Sequence, residues 1–283
     1  MSDLNLFEKN IYALRFSEDE LAQARKFWRP ICRYLQPIVD PRGTTLDLGA
    51  GYCHFINNIE SRVKLALDIN GDNLRRYANP DVRCIVAPAS NLGEIESNSV
   101  NSVFASNVYE HLMSREDVAS SCREVYRVMR PGGRFIVLQP NFAYCARQYY
   151  DFFDHRLTFT HKAMAEGLQI AGFQLERVTP RFLPYTSKAR LPRAPWMVSL
   201  YLAIPLAWRI LGAQMLLVGV KPAGRPEHHG IAAIEAAVGV GRGIWPWSVG
   251  NPAVGLDLDD CGTRATSGEG GAKQPVCGLD RID

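Results

Sequence analysis

One stretch decides the fold: Thr44-Thr45-Leu46-Asp47-Leu48-Gly49-Ala50-Gly51-Tyr52-Cys53-His54-Phe55. Leu46 and Leu48 point the same way along the pleat and predict a buried strand. The glycines that follow permit a tight turn and let a ligand approach the backbone. From Phe55 onwards apolar residues return at helical spacing, and the N-terminus of a helix there would present unpaired N–H groups. A strand, a glycine turn and a helix in this order predict a nucleotide-type binding site.

A carboxylate completes this predicted site. The run Val63-Lys64-Leu65-Ala66-Leu67-Asp68 is typical of the next parallel strand and ends in an acid. In such folds an acid about 20 residues after the glycine turn reaches a ribose hydroxyl, and Asp68 stands near that position. The turn and the acid together predict a ribose-containing ligand.

The segment from Asp47 to Gly51 resembles the first motif of class I S-adenosylmethionine-dependent methyltransferases, which usually has the form acid-x-Gly-x-Gly-x-Gly. Cys53 occupies the place where the third glycine often stands. Residues 102–112 resemble the fourth strand and the start of the following helix of that family, and residues 123–137 resemble the next helix, turn and strand. The resemblance covers roughly residues 41–222. It implies a Rossmann-like α/β fold, with a doubly wound, seven-stranded, mostly parallel sheet whose last strand is antiparallel.

The resemblance also implies the cofactor, S-adenosylmethionine, and the residues that contact it. The expected cofactor-binding residues are Asp47, Gly49, Ala50, Gly51, Asp68, Ile69, Ala89, Ser90 and Asn107. Many members of the family use an acid after the third strand to contact the adenine amino group, but residues 88–92 contain none. We therefore expect the adenine to meet the backbone of Ala89 and Ser90, or the side chains of Ser90 and Asn91.

The acceptor pocket is expected in the aromatic-rich residues 141–160, which follow the fifth strand. Transfer to a hydroxyl benefits from a general base, and histidine is the usual choice near neutral pH. His155 is our first candidate and His111 the second; the alternative for each is a structural role. The resemblance implies a small-molecule acceptor methylated on oxygen or nitrogen, such as a saccharide or lipid-linked saccharide in bacterial synthesis of surface polysaccharides.

The chain is expected to have a helical cap over residues 1–40, a methyltransferase domain over residues 41–222 and a disordered tail over residues 223–283. The sequence Ser17-Glu18-Asp19-Glu20 predicts a capping box at a helix start. Arg15, in the cap, either pairs with the carboxylate of the cofactor or is simply solvated.

Residues 181–212 are expected to be an insertion before the last strand. A basic, proline-containing segment is followed by a strongly apolar one, residues 196–211. The apolar run is shorter than the ~18 residues of a membrane span, and Pro205 interrupts it. It fits an interfacial membrane helix, and equally a helix buried against the sheet or against a dimer partner.

Composition excludes several classes of protein. A net charge of +3 is too small to indicate a nucleic-acid partner. Seven cysteines occur without a Cys-x-x-Cys pair, so we predict no metal site and no disulfide framework. The first residues lack a basic segment followed by an apolar core, so we expect a cytoplasmic protein, touching membrane at most peripherally. Nothing in the sequence indicates an oligomeric state.

Two rival functions remain. A nicotinamide-dependent oxidoreductase would need Gly-x-Gly-x-x-Gly, but position 54 is His where the final glycine should stand. A non-enzymatic, membrane-associated binding module would depend on residues 181–212 alone.

Overall fold

A single mixed sheet of seven strands forms the centre of the protein. The computed structural model describes residue 15, residues 17–185 and residues 194–224. The strands are β1 (Thr44–Leu48), β2 (Val63–Asp68), β3 (Val82–Val86), β4 (Val100–Ser106), β5 (Met129–Pro140), β6 (Gln174–Thr179) and β7 (Gln214–Val220). Their spatial order is β3-β2-β1-β4-β5-β7-β6, and only β7 runs antiparallel to its neighbours. The predicted Rossmann-like architecture is therefore confirmed, including the antiparallel last strand.

Both faces of the sheet are covered, so the central strands β1 and β4 are buried along most of their length. On one face Leu46, Val103 and Val137 belong to one buried cluster. On the other face Phe104 and Ile136, their sequence neighbours, belong to a second. Successive side chains along each strand therefore pack into two hydrophobic cores, one on each face of the sheet.

Seven helices are present in the described part of the chain, together with 3₁₀ turns at Gln36–Ile38 and Tyr109–His111. The helices are α1 (Glu18–Leu35), α2 (Gly71–Tyr77), α3 (Arg115–Val128), α4 (Phe142–Tyr149), α5 (His161–Ile170), α6 (Pro195–Ala203) and α7 (Pro205–Leu211). The capping box that the sequence predicts at Ser17 and Glu20 is present.

The prediction of a helix directly after the glycine turn is wrong. Residues 51–58 form a series of turns instead. Cys53 adopts a left-handed backbone with φ of +57°, which no residue inside an α-helix can have. Isolated helical hydrogen bonds survive on either side, such as Ile59 N–H to the Phe55 carbonyl at 3.1 Å. The replacement of the third motif glycine by Cys53 thus coincides with the break.

The sequence predicts a break at residues 131–133 and a strand beginning at Arg134, whereas the structure begins β5 at Met129 and includes these residues in it. Met129 already pairs with Val100, and Arg134 pairs with Ser102, so these residues form an irregularity within β5. The Gly132 N–H donates to the Lys221 carbonyl at 2.7 Å with φ of +78°. That bond ties the irregular stretch to the residue after β7.

The apolar segment before β7 folds as α6 and α7, which meet at Ile204. Val198 and Leu202 pack in the same buried cluster as residues of α1. Large apolar side chains on the other side are exposed, including Trp196, Leu200, Leu206 and Ile210. No helix in the described ranges is both long and apolar enough to span a bilayer.

Parts of three predictions lie outside the described residues. They are the cap before Arg15, residues 186–193 of the basic insertion, and the tail from residue 225 onwards.

Candidate functional site

Two cavities open at the carboxyl ends of β1, β2 and β4, the edge where doubly wound sheets bind ligands. The first has a volume of about 320 Å³ and the second about 430 Å³. The first is lined by Asp68, Ile69 and Ala89, and the second by Asp47, Ala50 and His155. Both cavities are lined by Gly49, Gly51, Asn107 and His111. Of the predicted site residues, Ser90 lines neither cavity, and nor does Asn91, the other side chain expected near the adenine.

The glycine turn is held against β2 through its own backbone. The N–H groups of Gly49 and Ala50 both donate to the Leu67 carbonyl, at 2.8 and 3.0 Å. Gly49 and Gly51 have φ of +70° and +50°, which side chains disfavour. A Cβ added at Gly49 would lie 2.5 Å from Val108, whereas one at Gly51 would meet nothing within 4 Å. The turn is therefore packed on one side and open at Gly51.

Asp68 connects the turn with the end of β2. Its Oδ2 accepts the Gly51 N–H at 2.8 Å, and its Oδ1 accepts the Asn70 N–H at 2.8 Å. Burial raises the pKa of Asp68, although these two donors favour its charged form. The carboxylate is thus fixed in the first cavity before any ligand arrives.

Asp47 is almost completely buried at the end of β1 and accepts the Ile56 N–H at 3.2 Å. Burial, opposed by that hydrogen bond and reinforced by the charge of Asp68, raises the pKa of Asp47 to about 8. Its carboxyl group holds the irregular segment that replaces the expected helix.

Ser90 and Asn91, which follow β3, are the side chains that the sequence predicts to contact the adenine. Asn91 lines neither cavity, and its side chain accepts the Gly93 N–H at 3.0 Å in a local turn. Ser90 also lies away from both cavities, while Ala89 lines the first. This arrangement favours contact of the adenine with the backbone at Ala89 over contact with the side chains of Ser90 and Asn91.

The segment after β4 carries the titratable groups of the second cavity. Asn107 has a left-handed backbone, with φ of +52°. It is followed by Glu110 and His111 in a 3₁₀ turn. The Glu110 side chain is completely buried, and neither carboxylate oxygen has a hydrogen-bond donor among the described residues.

Backbone hydrogen bonds attach the loop that contains His155 to this turn. The N–H groups of Arg156 and Leu157 donate to the Glu110 carbonyl at 2.8 and 3.1 Å. The Arg156 guanidinium donates to the His111 carbonyl at 3.1 Å. As a result the rings of His111 and His155 meet edge to face, with 5.0 Å between their centroids.

His155 is mostly buried, and its Nδ1 lies 3.4 Å from the Tyr185 hydroxyl. Burial, together with the charge of His111, lowers the pKa of His155 to about 4. The imidazole is therefore neutral near pH 7. Both candidate histidines thus line the cavity that adjoins the predicted cofactor pocket.

Arg15 pairs with Asp154 rather than standing in solvent. The two side chains form a two-pronged ion pair with N–O distances of 2.7 and 3.2 Å. Burial disfavours the charged form of Asp154, but the hydrogen bond from Arg15 and the charge of His111 outweigh it and lower the pKa. Arg15 also lines the second cavity, and its guanidinium lies over the Phe152 ring.

Several residues of the second cavity were not singled out from the sequence as acceptor-pocket residues. Tyr185 follows the sixth strand without any motif around it. Phe27 lines the cavity from α1, where its spacing indicated only an apolar helix face. Asn141 was expected on the substrate side, but it is buried, caps α4 and donates to the Pro180 carbonyl at 2.8 Å.

Comparison with known proteins agrees with this geometry. Residues 46–137 match the family model described as a methyltransferase domain. Among solved structures, the chain resembles a SAM-dependent methyltransferase from Archaeoglobus fulgidus at a TM-score of 0.53 and 18% identity, over 78% of this chain and 100% of the other. This is the fold of the SAM-dependent methyltransferases. No curated protein matches the chain by sequence.

Two further structures with the methyltransferase fold are similar. One, from Thermotoga maritima, has a TM-score of 0.51 and 15% identity over 77% of this chain and 96% of the other. Another, from Mesorhizobium loti, has a TM-score of 0.50 and 18% identity over 68% and 96%. At these identities the likeness establishes the fold and leaves the acceptor open.

The residues of the first cavity fit S-adenosylmethionine. The open space at Gly51 leaves room for a ligand against the turn, and Asp68 is a fixed carboxylate of the kind that binds a ribose. Ile69 and Ala89 supply apolar surface for a base.

Proposed function

We propose that this protein transfers a methyl group from S-adenosylmethionine to an oxygen or nitrogen of a small molecule. The observation that supports this most is the junction of the two cavities at Gly49, Gly51, Asn107 and His111. A donor in the first cavity and an acceptor in the second would meet there. The methyltransferase match over residues 46–137 supports the same chemistry.

In this proposal the cofactor supplies an electrophilic methyl group on a sulfonium. The three N–H groups of the turn from Gly49 to Gly51 donate within the protein, so the turn binds the ammonium of the amino-acid end through backbone carbonyl oxygen. Asp68 binds the ribose hydroxyls. The adenine contacts Ile69 and the backbone around Ala89. Fixing donor and acceptor in line contributes several kcal/mol to lowering the barrier, on the order of 7 or more for ideal alignment.

The second cavity is proposed as the acceptor site. Aromatic side chains line it, and a few polar groups converge within it, as is typical of small-molecule pockets. The aromatic lining residues are Phe27, Trp28, Tyr52, Phe55, Phe104, Phe152 and Tyr185. A saccharide or lipid-linked saccharide, with hydroxyl groups on an otherwise apolar ring, suits this combination.

We further propose His155 as the group that assists removal of the acceptor proton, with His111 second. His155 lines the acceptor cavity and is held in place by the loop bonded to Glu110. Positioned general bases contribute on the order of 10²–10⁴-fold to a rate.

We also propose a cytoplasmic location with peripheral membrane contact through residues 181–212. This segment contains five basic residues and no acidic one. The exposed apolar side chains of α6 and α7 include a tryptophan, which favours the headgroup region of bilayers. The described cysteines are all free thiols, consistent with a reducing compartment.

Calorimetry tests the central proposal. The full chain should bind S-adenosylmethionine and its demethylated product, and should not bind NAD. Incubation with a labelled methyl donor and cell extract should then label an acceptor fraction. Binding of NAD without the sulfonium donor would reverse the assignment in favour of an oxidoreductase, which the methyltransferase match does not favour.

A further inference from the structure

Three potential metal ligands meet at the junction of the cavities. Glu110, His111 and His155 each offer one ligand atom, and these atoms all lie within 4.8 Å of one another. Two ligands held about 2.1 Å from one ion are at most about 4.2 Å apart. A small rotation of one side chain would therefore bring the three atoms to coordination distance.

Glu110 points most directly to a missing partner. It is inaccessible to solvent, lines the second cavity, and has no donor for either carboxylate oxygen among the described residues. A buried carboxylate without a partner is unfavourable, and its ionised form needs a cation. Its closest cationic candidate, His111 Nε2, is 4.0 Å away.

The surroundings orient His111 as metal-bound histidines are usually oriented. His111 Nδ1 lies 3.2 Å from the Asp154 carbonyl and 3.3 Å from its carboxylate, which Arg15 holds in turn. His111 Nε2 is thereby directed towards Glu110. The His155 Nδ1 lies 3.4 Å from the Tyr185 hydroxyl, which limits rotation of that ring. Carboxylate or carbonyl partners on the second ring nitrogen are typical of metal-bound histidine.

We propose that Glu110, His111 and His155 bind a divalent transition-metal ion, with open coordination positions facing the acceptor cavity. One carboxylate and two imidazoles suit zinc, iron(II) or manganese. Three protein ligands leave room for a further ligand, as in catalytic rather than structural sites. The role of the ion in catalysis rests on the proposed methyl transfer.

The ion would bind an acceptor hydroxyl in an open position and lower the pKa of that hydroxyl. The hydroxyl proton would leave to bulk water as the oxygen binds. In that case His155 assists deprotonation as a ligand of the ion rather than as a free base.

Metal titration of the full chain, freed of metal with chelator and carrying no affinity tag, tests the proposal. Cobalt(II) is the probe, since its visible absorption reports nitrogen and oxygen ligands, and zinc(II) is titrated by calorimetry. We expect one ion per chain. The isosteric change Glu110→Gln and the change His155→Gln should each weaken binding at least about tenfold. Asp154→Asn should weaken it less.

His54→Gln is the matched control, because His54 lines the same cavity outside the cluster. It should bind the ion as the wild type does. S-adenosylmethionine affinity is measured on the same samples. A folded wild type that binds S-adenosylmethionine but neither ion, or a Glu110→Gln protein with unchanged affinity, would overturn the metal site and leave the proposed methyl transfer standing. A wild-type chain that binds cobalt but not S-adenosylmethionine would overturn the proposed methyl transfer and leave the metal site standing.

Discussion

The Asp68 carboxylate accepts the backbone N–H of Gly51 at 2.8 Å, and so joins the turn after β1 to the end of β2. Gly51 is also the point where the turn is open to a ligand. One side chain therefore both shapes the turn and offers the carboxylate expected to bind a ribose. The predicted cofactor pocket is organised before the cofactor binds.

Replacing Asp68 by alanine should weaken S-adenosylmethionine binding by roughly 10- to 100-fold. Hydrogen bonds to a charged group are each worth about 1.5–3 kcal/mol, and every 1.4 kcal/mol is about tenfold in affinity. Calorimetry measures the change. Asp81→Ala is the control, because Asp81 is exposed and lines neither cavity. Equal affinities of both variants would remove Asp68 from the site.

Gly49→Ala should destabilise the free protein by about 1–3 kcal/mol. The new Cβ would lie 2.5 Å from Val108 on a backbone with φ of +70°. Gly167→Ala, in α5, is the opposite case, since a Cβ there meets nothing within 4 Å. It should be stabilising by about 0.4–1 kcal/mol. Denaturant unfolding measures both, and a neutral Gly49→Ala would mean that the turn is not rigid.

Asp47 should make the free energy of unfolding fall as the pH rises between about 4 and 8. Its pKa is about 8 in the folded protein and ordinary in the unfolded chain, so over this range the folded state binds the extra proton. The stabilisation is complete below the unfolded pKa and is lost as the pH approaches 8. The slope from this one group is at most about 1.4 kcal/mol per pH unit.

Asp47→Asn removes that titration while keeping an oxygen for the Ile56 N–H. Urea unfolding of both proteins at pH 5.0 and 7.5, with no cofactor, isolates the contribution of Asp47 as a difference of differences. Buried acids that do not interact with Asp47, such as Glu110, act in the same direction in both proteins and cancel. Parallel stability curves would show that Asp47 is ionised when folded.

The sheet could be predicted from the sequence, and the reason is physical. Buried parallel strands are short apolar runs bounded by turn residues, and each run, such as residues 214–220, carries its own signal. The segment after the glycine turn could not be predicted from its apolar spacing. The apolar spacing from Phe55 to Ile59 is helical, but the backbone angle of Cys53 breaks the ladder.

The candidate site could be predicted from the sequence only where its residues belong to a motif with fixed spacing. The segment around Gly49 and Asp68 has fixed spacings. The approach of His155 to His111 depends instead on two main-chain N–H groups that donate to the Glu110 carbonyl across a long sequence separation. Backbone bonds of that kind leave no residue pattern. Likewise, only the structure shows that the Glu110 carboxylate has no hydrogen-bond donor within the described part of the chain.

His155→Ala should lower turnover by about 10²–10⁴-fold, the range for loss of a proton-transfer group, and leave S-adenosylmethionine affinity within about twofold. The reason is that His155 lines the second cavity and not the first. Transfer of labelled methyl into the acceptor fraction measures turnover, and calorimetry measures affinity. His161→Ala is the comparison, since His161 lines neither cavity. Unchanged turnover in His155→Ala would reject its role.

Membrane contact through α6 and α7 gives the last prediction. The double change Trp196→Ser and Leu206→Ser should abolish flotation with anionic vesicles, because both side chains are more than half exposed and their burial in lipid is lost. Stability should change little. Ile170 on α5 is even more exposed but lies outside the segment, so Ile170→Ser should float as the wild type does. Vesicles of zwitterionic lipid should bind less, since residues 181–212 carry five basic groups and no acid. A wild-type chain that stays at the bottom of the gradient with both lipids would leave the exposed face without a membrane role.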